Sequence, residues 1–255
     1  MRWLPIFKKE MRLYFSSPVA YVVGTFFLLI SGWFFSQILF IYSLQSMQSM
    51  MNPMMAGNLN PTEAIMRPLF SNMSVVLLFF IPMLTMRLFA EEKKSGTIEL
   101  LLTYPVRDGE VLLGKFLAAL ALYAVLLILT LLYPAMIAYF ARVEWGAILT
   151  GYLGMLLLGA TFLAVGVFIS SLTENQIVAG FSTFGVLLAF WIIGWGADSA
   201  SGLLRNVLQY VSILDHMESF GKGVIDTKDL VYYVSAIALA LFLTLRSLET
   251  KRWKG

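Results

Sequence analysis

The chain has no cysteine, one histidine and little charge. Without cysteine it can form no disulfide, thiolate metal site or thiol nucleophile. Charged residues make up only 13% of the chain, against about 25% in an ordinary soluble domain. Hydrophobic residues reach 59% and the mean hydropathy is +0.81. Such a chain is too apolar for a water-soluble fold. Runs of about eighteen or more apolar residues recur along it, the length a helix needs to cross a bilayer. No Asp, Glu, Lys, Arg or His falls in the middle of any such run. That absence argues against ion-driven carriers and voltage sensors, which place ionisable groups at mid-membrane depth. It also argues against intramembrane proteases, which need paired aspartates or a serine with a buried base. What remains is a pathway or a scaffold without an engine of its own, so uphill work would require energy from a partner outside the lipid.

In order, residues 1–17 predict an interfacial amphipathic helix. Trp3, Phe7, Met11 and Tyr14 share one face with Leu4 and Phe15, and Lys8, Lys9, Glu10 and Arg12 occupy the other. Six spans follow at about 19–41, 69–86, 116–140, 147–170, 177–197 and 230–245. No small-residue cleavage site follows the first, so it reads as a retained anchor. Pro134 predicts a kink in the third. Gly151, Gly154, Gly159 and Gly166 give the fourth a surface for close helix approach. A methionine-rich loop, 42–68, is broken by Asn52-Pro53 and Asn60-Pro61. The outer loop 198–229 carries Leu203, Leu204, Val207, Leu208 and Val211 at helical spacing, which predicts a helix dipping back into the interface. An even number of spans puts both termini on one side. Lys and Arg concentrate in the N-terminal arm, the central polar stretch and the tail, which marks that side as cytoplasmic. The net charge of +3 therefore implies no nucleic-acid partner. No internal repeat or second domain is evident, and residues 1–255 read as one transmembrane domain. Trp3, Trp33, Trp145, Trp195 and Trp253 read as interface anchors in contact with membrane lipid.

The densest charge lies between the second and third spans, in Arg87–Lys115. Glu91 and Glu92 suit a helix start. Ile98, Leu101 and Leu102 make an apolar edge, and Pro105 ends the pattern. By composition this loop, 87–110, is either a solvated connector or a handle that another protein grips. Gly109–Lys115 matches the phosphate-cradling G-x-x-x-x-G-K pattern, but Phe116 stands where Ser or Thr is needed and no strand precedes it. The chain is expected to bind no nucleotide, to need no cofactor and to catalyse no reaction itself.

The stretch GTIELLLTYPVRDGEVLLGK, Gly96–Lys115, resembles the cytoplasmic loop of ABC-2 type ABC transporter permeases. The shared features are Glu91–Glu92, Gly96–Leu102, Pro105 and Gly114–Lys115. Ser170–Ile177 is similar to the turn between the fourth and fifth spans of one bacterial branch, that of the gliding-motility-associated permeases. His216–Asp226, with Tyr232 beyond, is similar to that branch's outer loop. The resemblance implies an all-α, six-span half-transporter in the bacterial inner membrane. Two halves, identical or related, pair and dock on separate ABC ATPase subunits, and most relatives export. It implies ATPase coupling through Glu91, Glu92, Gly96, Thr97, Glu99, Leu101, Leu102 and Pro105, with the N-terminal helix packed beside them. It also implies short re-entrant outer helices closing the pathway around His216, Glu218, Phe220, Gly223 and Asp226.

Other readings stay open. Met47, Met50, Met51, Met54 and Met55 offer soft thioethers for a copper-related membrane component, or are packing material. His216 with Asp215 and Glu218 is either a polar helix cap or a metal site, the cap being expected. A scaffold anchoring an envelope machine needs no ATP. The spans expose Ser, Thr, Gln and aromatic side chains, which single out no cargo.

Overall fold

The computed structural model describes residues 3–51, 60–97, 107–199 and 201–252. These form eleven helices and, among the described residues, no strand. In chain order they are α1 (Trp3–Ser16), α2 (Pro18–Met51), α3 (Pro61–Thr85), α4 (Ala90–Lys94), α5 (Asp108–Leu129), α6 (Leu132–Phe140), α7 (Trp145–Leu172), α8 (Gln176–Ser199), α9 (Gly202–Val211), α10 (Asp215–Gly221) and α11 (Thr227–Arg252). Six segments are long and apolar enough to cross a membrane: Pro18–Met51, Pro61–Lys94, Asp108–Phe140, Trp145–Leu172, Gln176–Gly194 and Thr227–Thr250. The all-α, six-span architecture expected from the sequence is therefore present.

The expected boundaries need correction where polar residues continue a helix beyond the apolar core. At 34 residues, α2 absorbs residues 42–51 of the expected methionine loop. Met47, Met50 and Met51 stand exposed on its last turns, while Met54 and Met55 lie outside the described residues. Asn60-Pro61 starts a helix instead of breaking a loop. The Asn60 side chain accepts from the Thr62 N–H at 3.0 Å, and Pro61 takes the first helical position, where its missing N–H has no helical partner. The second span thus begins eight residues before Leu69.

The third span is broken as Pro134 predicts. Helix α5 ends at Leu129, and α6 resumes at Leu132. A proline cannot donate to the carbonyl four residues back, here that of Thr130. That carbonyl instead accepts the Tyr152 hydroxyl of α7 at 2.8 Å and the Tyr133 N–H at 3.0 Å. The break is thereby held without an orphaned backbone group, which lipid would not forgive.

Helix α7 is the hub, packing against α3, α5, α8, α10 and α11. Its glycines are the contact points. A Cβ on Gly151 would meet the Phe70 ring at 2.2 Å, on Gly154 Phe220 at 2.6 Å, on Gly159 the Tyr123 ring at 2.2 Å and on Gly166 Thr85 at 2.3 Å. Backbones approach closely here because these side chains are missing. Helices α8 and α11, by contrast, bury only 17% of their apolar windows and leave the rest to the surroundings. The two short helices α9 and α10 fold back onto α8 and onto α7 and α3. Gly159→Ala is expected to lower the midpoint of thermal unfolding, with an overpacking penalty of about 1–3 kcal/mol. Gly185→Ala, where a Cβ meets nothing within 4 Å, should leave the midpoint unchanged or raise it. Detergent-solubilised protein melted by tryptophan fluorescence gives the comparison.

Candidate functional site

Helices α1, α4 and the first turns of α5 meet at one end of the bundle, around Lys115. This side chain is 1% exposed, yet carries a charge. Its ammonium lies 2.8 Å from Glu10 Oε1 of α1 and 2.9 Å from Glu92 Oε1 of α4, and 5.3 Å over the Phe89 ring. Lys9 adds a second cation 3.0 Å from Glu92. Burial disfavours the charge on Lys9, but the hydrogen bond it donates to Glu92 and the charges of Glu92 and Glu10 outweigh it and raise its pKa. Burial, with Glu10 beside it, pushes the Tyr14 phenol well up, so it stays protonated.

Why these groups converge is visible in the chain. Gly114 lets α1 lie across α5, since a Cβ there would sit 2.8 Å from Ile6 Cγ2 and 3.1 Å from the Trp3 carbonyl. One residue on, Lys115 faces the next turn of α1, where Glu10 waits. The polar face expected for α1 must be corrected accordingly. Lys8, Lys9 and Arg12 are exposed, but Glu10 is buried, because the side facing the body of the protein runs through Ile6, Phe7, Glu10 and Tyr14. Leu4, Leu13 and Phe15 point away from it. The G-x-x-x-x-G-K pattern is all helix, and its lysine is bound by two carboxylates.

The segment after α3 is held from the other side by α7. Ser170 Oγ accepts the backbone N–H groups of Phe89 and Ala90 at 3.1 and 3.2 Å, capping α4, which has no cap of its own. Lys93 is buried and donates to the Ser171 carbonyl, which the Ser247 hydroxyl of α11 also approaches at 3.5 Å. The ends of the described chain thus lie at the same end of the bundle as α4. Gly96 closes the helix with φ +68°, a conformation that disfavours any side chain, and its N–H reaches the Lys93 carbonyl at 3.2 Å.

Of the expected coupling residues, Glu91, Glu92, Gly96 and Thr97 are brought together here. Glu99, Leu101, Leu102 and Pro105, with Ile98, lie outside the described residues. Glu91, Gly96 and Thr97 are exposed, while Glu92 points inward. Sequence reasoning missed Glu10, Ser170 and Lys93. The helical offset of Glu10 from Ile6 was the one available signal for the first.

The expected outer residues gather at the opposite end. His216 Nε2 faces the Tyr210 carbonyl at 3.1 Å, and Nδ1 lies 2.6 Å from Asp229 Oδ1, with the ring stacked on Tyr232 at 3.9 Å. A carbonyl only accepts, so Nε2 is the donor of that pair, and Nδ1 is left to face the Asp229 carboxylate. Both nitrogens are engaged, leaving none to ligate a metal. Glu218 turns away to Arg67 at 2.7 Å and Lys222 at 2.8 Å, whose hydrogen bond holds it below the usual carboxylate range. Phe220 is fully buried against Gly154, Gly223 makes a φ +81° turn against Ala147, and Asp226 caps α11 by accepting the Lys228 N–H at 3.0 Å.

Residues 4–251 match the sequence profile described as ABC-2 family transporter protein. The chain belongs to this family. No curated protein matches it. ABC-2 proteins are membrane subunits of ABC transporters, generally without catalytic activity themselves, and typically work with an ABC ATPase. The end of this ABC-2 chain built on Lys115 is an internally tied joint, and removing its cation leaves Glu10 and Glu92 with Lys9 alone. Lys115→Met is expected to cost about 3–5 kcal/mol, and Ser170→Ala about 1 kcal/mol. Both should speed proteolysis between Arg87 and Lys94 in limited-digestion mapping.

Proposed function

We propose that this ABC-2 protein is the permease half of an ATP-driven exporter in a bacterial inner membrane, with both termini cytoplasmic. An ABC ATPase docks on the Glu91–Thr97 segment and its continuation through Glu99, Leu101, Leu102 and Pro105. A second half, identical or related, completes the pathway. Similarity at Ser170–Ile177 and His216–Asp226 favours the gliding-motility branch of these permeases. The outer residues His216, Glu218, Phe220, Gly223 and Asp226 close the far end of the pathway.

The observation that supports this reading is the two-sidedness of the α4 segment. Ala90, Glu92 and Lys93 face inward, where they engage α1, α5 and α7, while Glu91, Lys94, Ser95, Gly96 and Thr97 are presented outward. A solvated connector needs no such anchoring. A segment that receives force needs it, since displacing α4 must then displace the helices that hold it.

The test is co-purification with the co-expressed ABC ATPase. Glu91→Arg and Thr97→Trp, both at outward positions, should each weaken the complex about tenfold or more without moving the permease's melting midpoint. Glu92→Gln should lower that midpoint as well, because it unties Lys115. Association at wild-type strength by both outward variants would remove the handle from this reading.

A further inference from the structure

Two crevices join beside the Lys115 joint. The first, about 480 Å³, lies among α1, α2, α3, α4 and α5. One wall is polar, with Lys9, Tyr14, Ser17, Arg87, Glu91 and Glu92, and the other apolar, with Val19, Ala20, Val23, Phe80, Met83 and Leu84. The second, about 220 Å³, shares Val23, Phe80 and Met83 with the first and runs between α2 and α3 to Phe34 and Val75. Every residue lining it is apolar. From Val23 to Phe34 the groove climbs about 16 Å along α2. A space with a polar mouth at one membrane face and an oily continuation toward mid-bilayer has the shape of an amphiphile.

The mouth also holds buried polar atoms without hydrogen-bond partners: Tyr14 Oη, Arg87 Nε and Glu92 Oε2. Arg87 Nε has a long contact of 3.7 Å to Glu91, while Nη1 donates to Ser17 Oγ at 3.5 Å. Buried polar atoms left unpaired are costly and call for a partner. The phenol and guanidinium are donors, and the carboxylate oxygen is an acceptor. Lys9, Arg87 and Lys115 balance Glu10, Glu91 and Glu92 in number, so the lining carries no net charge. A purely anionic head group would meet three carboxylates there, whereas a zwitterion meets both signs.

We propose that this two-part crevice binds one phospholipid with a zwitterionic, ammonium-bearing head group. Its phosphate lies toward Arg87 and Tyr14, its ammonium toward Glu92, and one acyl chain lies along the α2–α3 groove. The lipid acts as a wedge between α1 and the spans, beside the joint that holds α4. The crevice shares Glu91, Ser95 and Thr97 with the proposed ATPase-facing segment, but its test reads labelling of α2 and α3 while the ATPase test reads co-purification, so either can fail alone.

The experiment uses the full chain in vesicles containing phosphatidylethanolamine with a photoreactive acyl chain. Labelling is expected in the peptides spanning residues 23–34 and 75–83. Unlabelled phosphatidylethanolamine should compete about tenfold better than phosphatidylglycerol, the factor that one charge-assisted hydrogen bond supplies. Phosphatidylcholine, whose quaternary ammonium has no N–H for Glu92, should compete less well than phosphatidylethanolamine. Met83→Trp, at a half-exposed position in the shared neck, should cut the labelling sharply, and Arg87→Gln, which removes a partner of the phosphate common to all three lipids, should weaken competition by each of them alike. Labelling of α8 and α11 at equal yield would show ordinary lipid contact and overturn the site. Equal competition by all three lipids on the wild-type chain would do the same without relying on any variant.

Discussion

A lysine that is 1% exposed between two carboxylates, at the mouth of a membrane bundle, is the constraint on which one end of this structure depends. An ion so far out of water is tolerated only when its charge is matched and its hydrogen bonds are made. Glu10 and Glu92 meet that demand from separate segments, one before the first span and one at the end of the second. The three elements therefore cannot move independently: shifting α1 or α4 strands a buried charge. Electrostatics here supplies coupling more than stability, since a well-packed apolar replacement could be as stable but would tie nothing to anything.

The same end is fastened a second time by hydrogen bonds of another kind. Ser170 caps α4 and the Ser171 carbonyl takes Lys93, so α7 holds the segment that Lys115 holds from α5. Helix α7 then carries that attachment through the bundle by close glycine contacts with Thr85, Tyr123, Phe70 and Phe220. The last of these belongs to α10, beside the His216–Asp229 pair. One helix thus touches both the α4 joint and the His216 cluster at the opposite end of the bundle. It gives the proposed transporter a physical path between its ends, with the Thr130 break in the neighbouring span braced on Tyr152.

Membership in the ABC-2 family and the geometry of the joint support each other but rest on different grounds. The family match says which kind of machine the chain belongs to. The inward and outward sides of α4 say which residues are spent inside the chain and which remain for a partner. Glu91 and Glu92 are adjacent and chemically identical, yet one is exposed and the other sits in the Lys115 joint.

By itself the sequence determined the class of the molecule. Lipid admits backbone only when its hydrogen bonds are closed locally, so long apolar runs dictate helices, and counting them yields six spans. The break near Pro134 and the close-approach role of the α7 glycines were equally legible, because both are properties of single residues. Helix ends were less so: α2 and α3 continue into polar residues that hydropathy excludes, and Asn60-Pro61 signals a start as readily as a stop. The partners of Glu10, Glu92, Ser170 and His216 were decided only by the tertiary structure. Those residues are separated by many positions in the chain, and a charge or hydroxyl carries no mark of its future neighbour. Whether Glu10 faces water or Lys115 depends on the angle at which α1 crosses Gly114, and only the packed bundle sets that angle.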